Sequence, residues 1–280
     1  MSRSLISAGA ILIMLCALAE PPISSDAACS SAQTLRCELT LSHATSCDAG
    51  AVETKAAPSK AAAVSRKGGQ AMLEKIHWLG HDCFRVDAEK IVYFDPFELG
   101  AGAVPADVIF ISHDHFDHCS PGDVSAITKK GTVVVTTTAC AKKLSGETKI
   151  VKPGDKLTVQ GISVEVVPAY NTDPARAQFH PRSSGGVGFI VTLGKKRIYH
   201  AGDTDFIPEM KSFKVDIAML PVSGKYVMTA EDAVKAVQAI KPEITIPMHY
   251  GGIVGSRKDA ETLKKLVAPL RVEILTSEKK

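Results

Sequence analysis

The run ADVIFIS at 106–112 is almost continuously apolar, which marks a strand buried on both faces. It leads straight into HDHFDHC at 113–119. The chain has nine histidines, and three of them fall within these six residues: His113, His115 and His118. A solvated loop has no need of such a cluster. Helix capping accounts for Asp114 or Asp123 and not for three imidazoles. Two histidines two apart at a strand end project to one side, and Asp117 and His118 continue into the turn before SPGDVSAITKK, which reads as a helix. Mixed imidazole and carboxylate donors suit zinc, with manganese or iron as alternatives.

The rest of the chain from Met72 supports a layered α/β domain. KIHWLGHDCFRV and KIVYFDPF read as two paired strands, and GTVVVTTT as another. Hairpins are expected around Gly161 and Gly194, and VDIAMLPV is a buried strand. Thr229 starts an amphipathic helix that stops before Pro242. EITIPMHYGG then reads as strand, SRKDAETLKKLVAPL as helix and RVEILT as a last strand. Two more donors stand at apolar strand ends, Asp203 in IYHAGDTD and His249 in TIPMHYGG. Two cations about 3.5–4 Å apart, bridged by a carboxylate, would produce a nucleophilic hydroxide at neutral pH.

His113-x-His115-x-Asp117-His118, AGDT with Asp203, and PMHYG with His249 resemble the metallo-β-lactamase superfamily. WLGHDCF, FDPF and YHAGDTD resemble more narrowly its branch of ascorbate-6-phosphate lactonase-like metal-dependent hydrolases. The resemblance implies an αββα four-layer sandwich with two divalent metal ions at one edge. It implies that His113 and His115 bind one ion, that Asp117, His118 and His249 bind the other, and that Asp203 bridges them. Asp117 and Asp203 then carry the catalytic proton and charge. The first ion lacks a third histidine at the position where relatives supply one. Asn171 stands near that position, but His180, nine residues on and the only histidine in the loop, is the expected ligand, with Asn171 and water as the alternative. His81, Asp95 and His200 are further candidates for touching substrate or orienting a ligand, each with a structural reading beside it.

The expected activity is hydrolysis of an ester, lactone, amide or phosphoester in a small molecule. An anionic substrate could be drawn by Arg176, Arg182 or Lys225. A lipid phosphodiesterase of the same fold is the alternative enzyme and would need an exposed apolar lip beside the metals. A metal-binding sensor without turnover is the alternative outside enzymes. The net charge of +3, from 33 basic and 30 acidic residues, argues against a nucleic-acid binder.

Residues 1–19 read as a signal peptide, with an uncharged apolar run from Leu5 to Ala19 after Arg3. That run is short for a membrane span, so the membrane enters only if the segment is retained as an anchor. Export to the periplasm or beyond follows if the signal is genuine, and a cytoplasmic location if it is not. An over-extended start upstream of Met72 is the other reading. Residues 20–71 are a low-complexity tether and 72–280 the hydrolase domain. Six cysteines follow Ala19, enough for disulfides in an oxidising compartment, with free thiols as the bland reading.

Overall fold

The computed structural model describes residues 68–279. The expected signal segment and the expected tether up to residue 67, with Cys29, Cys37, Cys47 and His43, lie outside the described residues, whereas 68–71, also read as tether, are helical. No described helix is long and apolar enough to cross a membrane.

Two six-stranded sheets lie face to face. The first takes its strands in chain order: β1 (Ile76–Gly80), β2 (Cys83–Asp87), β3 (Ile91–Phe94), β4 (Ala106–Ile111), β5 (Thr128–Thr136) and β6 (Thr148–Ile150). The second contains β7 (Lys156–Val159), β8 (Ile162–Pro168), β9 (Val187–Leu193), β10 (Lys196–His200), β11 (Ile217–Pro221) and β12 (Ile244–Met248), also as sequential neighbours. Each sheet begins with antiparallel hairpins and ends with parallel strands. Thus β3 to β6 run parallel in one sheet and β10 to β12 in the other.

Helices cover both outer faces. The first sheet carries α1 (Pro121–Ile127) and α2 (Thr138–Ala141), and the second carries α3 (Ala230–Ile240) and α4 (Arg257–Leu266). Four layers result, an αββα sandwich. Ser120 caps α1, with Pro121 at its first position, where a missing N–H costs nothing. Thr229 caps α3, which ends on Lys241 in the left-handed conformation.

Alternation along the strands decides which side chain goes where. Val108 and Phe110 of β4 join Phe94, Phe189 and Ile198 between the sheets, while Ile109 and Ile111 face α1 with Tyr93, Val124 and Ile127. Strand β4 is therefore apolar throughout because both of its faces are covered. The hairpins at Gly161 and Gly194 form as expected.

Two expectations fail. KIHWLGHDCFRV is not one strand but a hairpin, β1 and β2, broken at Gly80 and His81, where both residues have positive φ (106° and 51°). RVEILT is not a sheet strand, since only Val272 makes a bridge, to Thr245. The tail leaves the edge of the second sheet there and crosses to the first, where the Glu278 N–H donates to the Trp78 carbonyl at 2.9 Å. Ile274 and Leu275 pack on the core along the way. Their alternation serves a strap between sheets rather than a thirteenth strand.

Candidate metal centre

Parallel strands bring their carboxyl ends to one edge of the sandwich, and the chemistry-bearing residues follow those ends directly. Asp95 follows β3, His113 to His118 follow β4, Asp203 follows β10, Ser223 follows β11 and His249 follows β12. The β1–β2 turn adds His81 and Asp82. Three of these residues, His81 (φ 51°), Asp95 (φ 41°) and His249 (φ 61°), hold left-handed backbone that non-glycine residues avoid. Such strain gathers where a side chain must be aimed. Gly202 (φ 60°) makes the turn before Asp203, and a Cβ there would stand 2.8 Å from Ser112 Cβ and 2.9 Å from the Val187 carbonyl.

Two clusters of donors form. One holds His113, His115, His180 and Asp203, and the other His81, Asp82, His118 and His249, with donor atoms inside 4.8 Å in each. Asp203 connects them. Its Oδ2 lies 3.2 Å from His180 Nε2, 3.3 Å from His249 Nε2 and 3.9 Å from His113 Nε2, while its Oδ1 lies 3.4 Å from His118 Nε2. His115 Nδ1 is 3.2 Å from His180 Nε2. Asp82 Oδ2 is 3.6 Å from His118 Nε2, 3.7 Å from His81 Nε2 and 3.9 Å from His249 Nε2. Donors held about 2.0–2.2 Å from one tetrahedral cation stand about 3.3–3.6 Å apart, and the contacts within the clusters, 3.2–3.9 Å, bracket that spacing.

The unused atoms point the same way. His113 Nε2, His118 Nε2, Asp203 Oδ1 and both oxygens of Asp82 are buried without a hydrogen bond. Buried polar atoms left so cost several kcal/mol each unless a cation meets them. The opposite ring nitrogens are occupied. His118 Nδ1 donates to Asp95 Oδ2 at 2.7 Å, and His180 Nδ1 to the Tyr226 carbonyl at 3.2 Å. His249 Nδ1 lies 2.8 Å from Ser223 Oγ, and His113 Nδ1 3.0 Å from Ser112 Oγ. Such contacts fix the tautomer and aim the free nitrogen inward.

Electrostatics are strongly perturbed. Burial, reinforced by the neighbouring imidazole of His118, holds His113 well below its usual range. Burial would raise Asp203, but His249 and His118 outweigh it and hold the carboxyl well below the usual range. Asp82 goes the other way. It is fully buried, and burial raises its carboxyl despite His249 and His81. His249 would be lowered by burial, yet Asp203 and Asp82 push it up to about 9.

His113, His115, His118, Asp203 and His249 converge. His180 stands in the first cluster. Asn171 stands behind it, its Nδ2 donating to the Arg176 and Tyr226 carbonyls at 2.9 and 2.6 Å and lying 3.3 Å from His180 Nδ1. Asn171 therefore backs His180 rather than replacing it. Asp117, expected as a ligand of the second ion, lies nearer the rim, where its Oδ2 accepts from His81 Nε2 at 3.1 Å and stands 3.7 Å from His118 Nε2, within reach of the second cluster. Burial would raise the Asp117 carboxyl, but the bond from His81 and the neighbouring His118 together lower it. Asp95 also accepts from Ser112 N and Oγ at 2.7 and 2.6 Å, tying β3 to the metal loop. His200 does not reach the donors. It stacks on Phe94 at 5.0 Å between centroids, and its Nε2 donates to the Asp82 carbonyl at 2.9 Å.

Asp82 is the donor that sequence reasoning missed. Asp205 is a second omission. It accepts from the N–H groups of Thr172 and Asp173 at 2.9 Å each and from Arg176 Nε at 3.0 Å, and so holds the loop that carries His180. Two expected anion attractors are spent on acidic partners. Arg176 pairs with Asp205, Asp232 and Asp173, and Arg182 pairs with Glu209 over the Tyr170 ring. Cys119, directly after His118, is joined to Cys140 in a disulfide rather than serving as a packed thiol.

Residues 75–249 match the family model of the beta-lactamase superfamily domain. The chain belongs to that superfamily. It is 34% identical over 220 residues to a metal-dependent hydrolase of Thermoplasma acidophilum, covering 73% of this chain and 95% of the relative. A metal-dependent hydrolase of Thermus thermophilus is 33% identical over 215 residues, covering 71% and 93%. Among solved structures, one described as a metal-dependent hydrolase from Parabacteroides distasonis superposes with a TM-score of 0.64 at 36% identity, covering 71% of this chain and 91% of that one. A metallo hydrolase from Ignicoccus hospitalis shares the fold at 20% identity, with a TM-score of 0.59 and coverage of 72% and 94%.

Proposed function

We propose that this metal-dependent hydrolase works with two divalent cations. His113, His115 and His180 would hold one, Asp82, His118 and His249 the other, and Asp203 would stand between them. The observation that carries this reading is the pair of donor clusters in which His113 Nε2, His118 Nε2, Asp203 Oδ1 and both Asp82 oxygens are buried without a hydrogen bond. Nitrogen and carboxylate donors at tetrahedral spacing favour Zn2+, with Mn2+ or Fe2+ as alternatives. Bound cations supply Lewis acidity, lowering the pKa of a water and polarising the scissile group.

The protein's own groups then have distinct tasks. Asp203 is held as a carboxylate by His249 and His118, so it keeps its charge for binding throughout the neutral range. Asp95, Ser223 and the Tyr226 carbonyl keep one nitrogen of His118, His249 and His180 occupied and the other aimed inward. Asp117 Oδ2 is also a carboxylate, at the cavity mouth, and is placed to accept a proton from an attacking water and return it to a leaving group. The bond attacked is an ester, lactone, amide or phosphoester of a small molecule. Export fits the Cys119–Cys140 disulfide, which an oxidising compartment would preserve.

The test is metal content followed by turnover. Full-length protein loaded with Zn2+ or Mn2+ should carry two equivalents per chain and hydrolyse at least one member of a lactone, ester, amide and phosphodiester panel. His115→Ala should abolish that turnover. Two bound equivalents with no turnover across the panel would favour a metal-binding sensor instead.

A further inference from the structure

His115, His180 and Asp203 of the donor set line a cavity of about 300 Å³ together with Asp117, Phe116, Phe179, Tyr226 and Ile253. Among the described residues seven large apolar side chains are exposed, and three of them are here: Phe116 at 68%, Ile253 at 44% and Phe179 at 36%. Scattered apolar exposure is ordinary, but concentration around one concave site marks a surface meant to be covered. Chain position fixes the lip to the chemistry. Phe116 lies between His115 and Asp117, Phe179 directly precedes His180, and Ile253 comes four residues after His249. The rings are also buttressed, Phe116 against Phe97 at 5.8 Å and Phe179 against Tyr226 at 4.8 Å between centroids.

Charge is as informative as apolarity. Among the described residues the cavity lining includes no lysine or arginine. Arg176 and Arg182 are committed to Asp205, Asp232 and Glu209. Lys225 lies over the Tyr226 ring, 5.2 Å from its centroid. The two cations would serve the scissile group, and a further anionic group on the substrate would meet Asp117 and the apolar lip with no arginine or lysine among the described lining residues to receive it.

Resting on the hydrolase reading above, we infer that the substrate's scissile group carries an uncharged alkyl or aryl substituent, seated against Phe116, Phe179 and Ile253. The occupant is a substituent rather than a membrane, because the apolar side chains line a concavity of small-molecule size instead of a flat face.

Hydroxamates test this without knowledge of the bond cleaved, since they anchor on the cations whatever the reaction. Full-length protein loaded with Zn2+ is titrated calorimetrically with aceto-, butyro-, hexano- and benzohydroxamate, and with succinohydroxamate as the charged arm. A fully buried methylene tightens binding about fourfold. Half-covered chains should therefore gain about tenfold or more from aceto- to hexanohydroxamate, and succinohydroxamate should bind more weakly than butyrohydroxamate. Phe116→Ser and Ile253→Ser, at exposed positions, should flatten the chain-length dependence while metal content stays at two equivalents. Acetohydroxamate binding without a chain-length gain, or tighter binding of succinohydroxamate, would overturn the inference and leave the hydrolase reading standing. Absence of both bound metal and hydroxamate binding would remove both. Co-sedimentation with phosphatidylcholine vesicles, lost in Phe116→Ser, would reassign the lip to a lipid surface and overturn the small-molecule inference.

Discussion

Asp82→Asn separates a metal ligand from a structural carboxylate, because the two roles predict opposite signs. The Asp82 side chain is fully buried, neither oxygen makes a hydrogen bond, and burial raises its carboxyl. Without metal it is a cost that His81, His118 and His249 only partly offset, so the metal-free variant should be within about 1 kcal/mol of wild type or more stable. With metal the order reverses. Cation at 100 times its dissociation constant stabilises the wild type by about 2.7 kcal/mol. A 100-fold weaker site at the same free concentration gives only about 0.4 kcal/mol. The deficit of about 2.3 kcal/mol corresponds to roughly 5–9 °C in Tm for a domain of this size. Differential scanning fluorimetry with and without Zn2+, paired with metal analysis, reads both signs. A variant that loses more than about 2 kcal/mol without metal, yet keeps two equivalents and the wild-type Zn2+ shift, would refute the ligand role.

Other perturbations test separate parts of the structure. Asp95→Asn weakens the hold on His118 Nδ1 and should reduce metal affinity about 10–100-fold, measured by competition with a chelating dye. Gly202→Ala drives a Cβ against Ser112 and the Val187 carbonyl at a left-handed position, so metal content should fall with the fold retained by circular dichroism. Phe94→Ala removes a fully buried ring stacked on Phe110 and His200 and should cost about 3–5 kcal/mol in urea unfolding. Burial opposes, but bonds from Lys235 and Arg176 lower the Asp232 carboxyl in the folded state. Its stabilising contribution is therefore full above the unfolded value of about 3.9 and lost as pH falls through the lower folded value. Asp232→Asn should flatten the acid limb of the stability profile and leave the neutral region little changed in slope.

The parts of the site that were legible are those where chemistry and chain order coincide. His113 to His118 follow one apolar strand, so both periodicity and donor type point to them. Asp203 and His249 stand at strand ends for the same reason. Asp82 was hidden because KIHWLGHDCFRV keeps strand-like alternation through its own turn, and the bend depends on left-handed backbone at His81, which side-chain pattern does not encode. The choice between Asn171 and His180 could not come from spacing. It depends on Asp205 and Arg176 folding the intervening loop back over β10's end. The pairing of Cys119 with Cys140 likewise needs α1 and α2 to lie side by side on the first sheet. RVEILT misled for the converse reason, since Ile274 and Leu275 contact the core without ladder partners.

Anomalous diffraction at the zinc edge, on crystals of the Zn2+-loaded full-length protein, tests the central claim most directly. Two peaks are expected about 3.5–4 Å apart. One should fall among His113, His115 and His180, the other among Asp82, His118 and His249, with Asp203 reaching both. No peak at this edge of the sandwich, or a single ion bound away from these imidazoles, would contradict it.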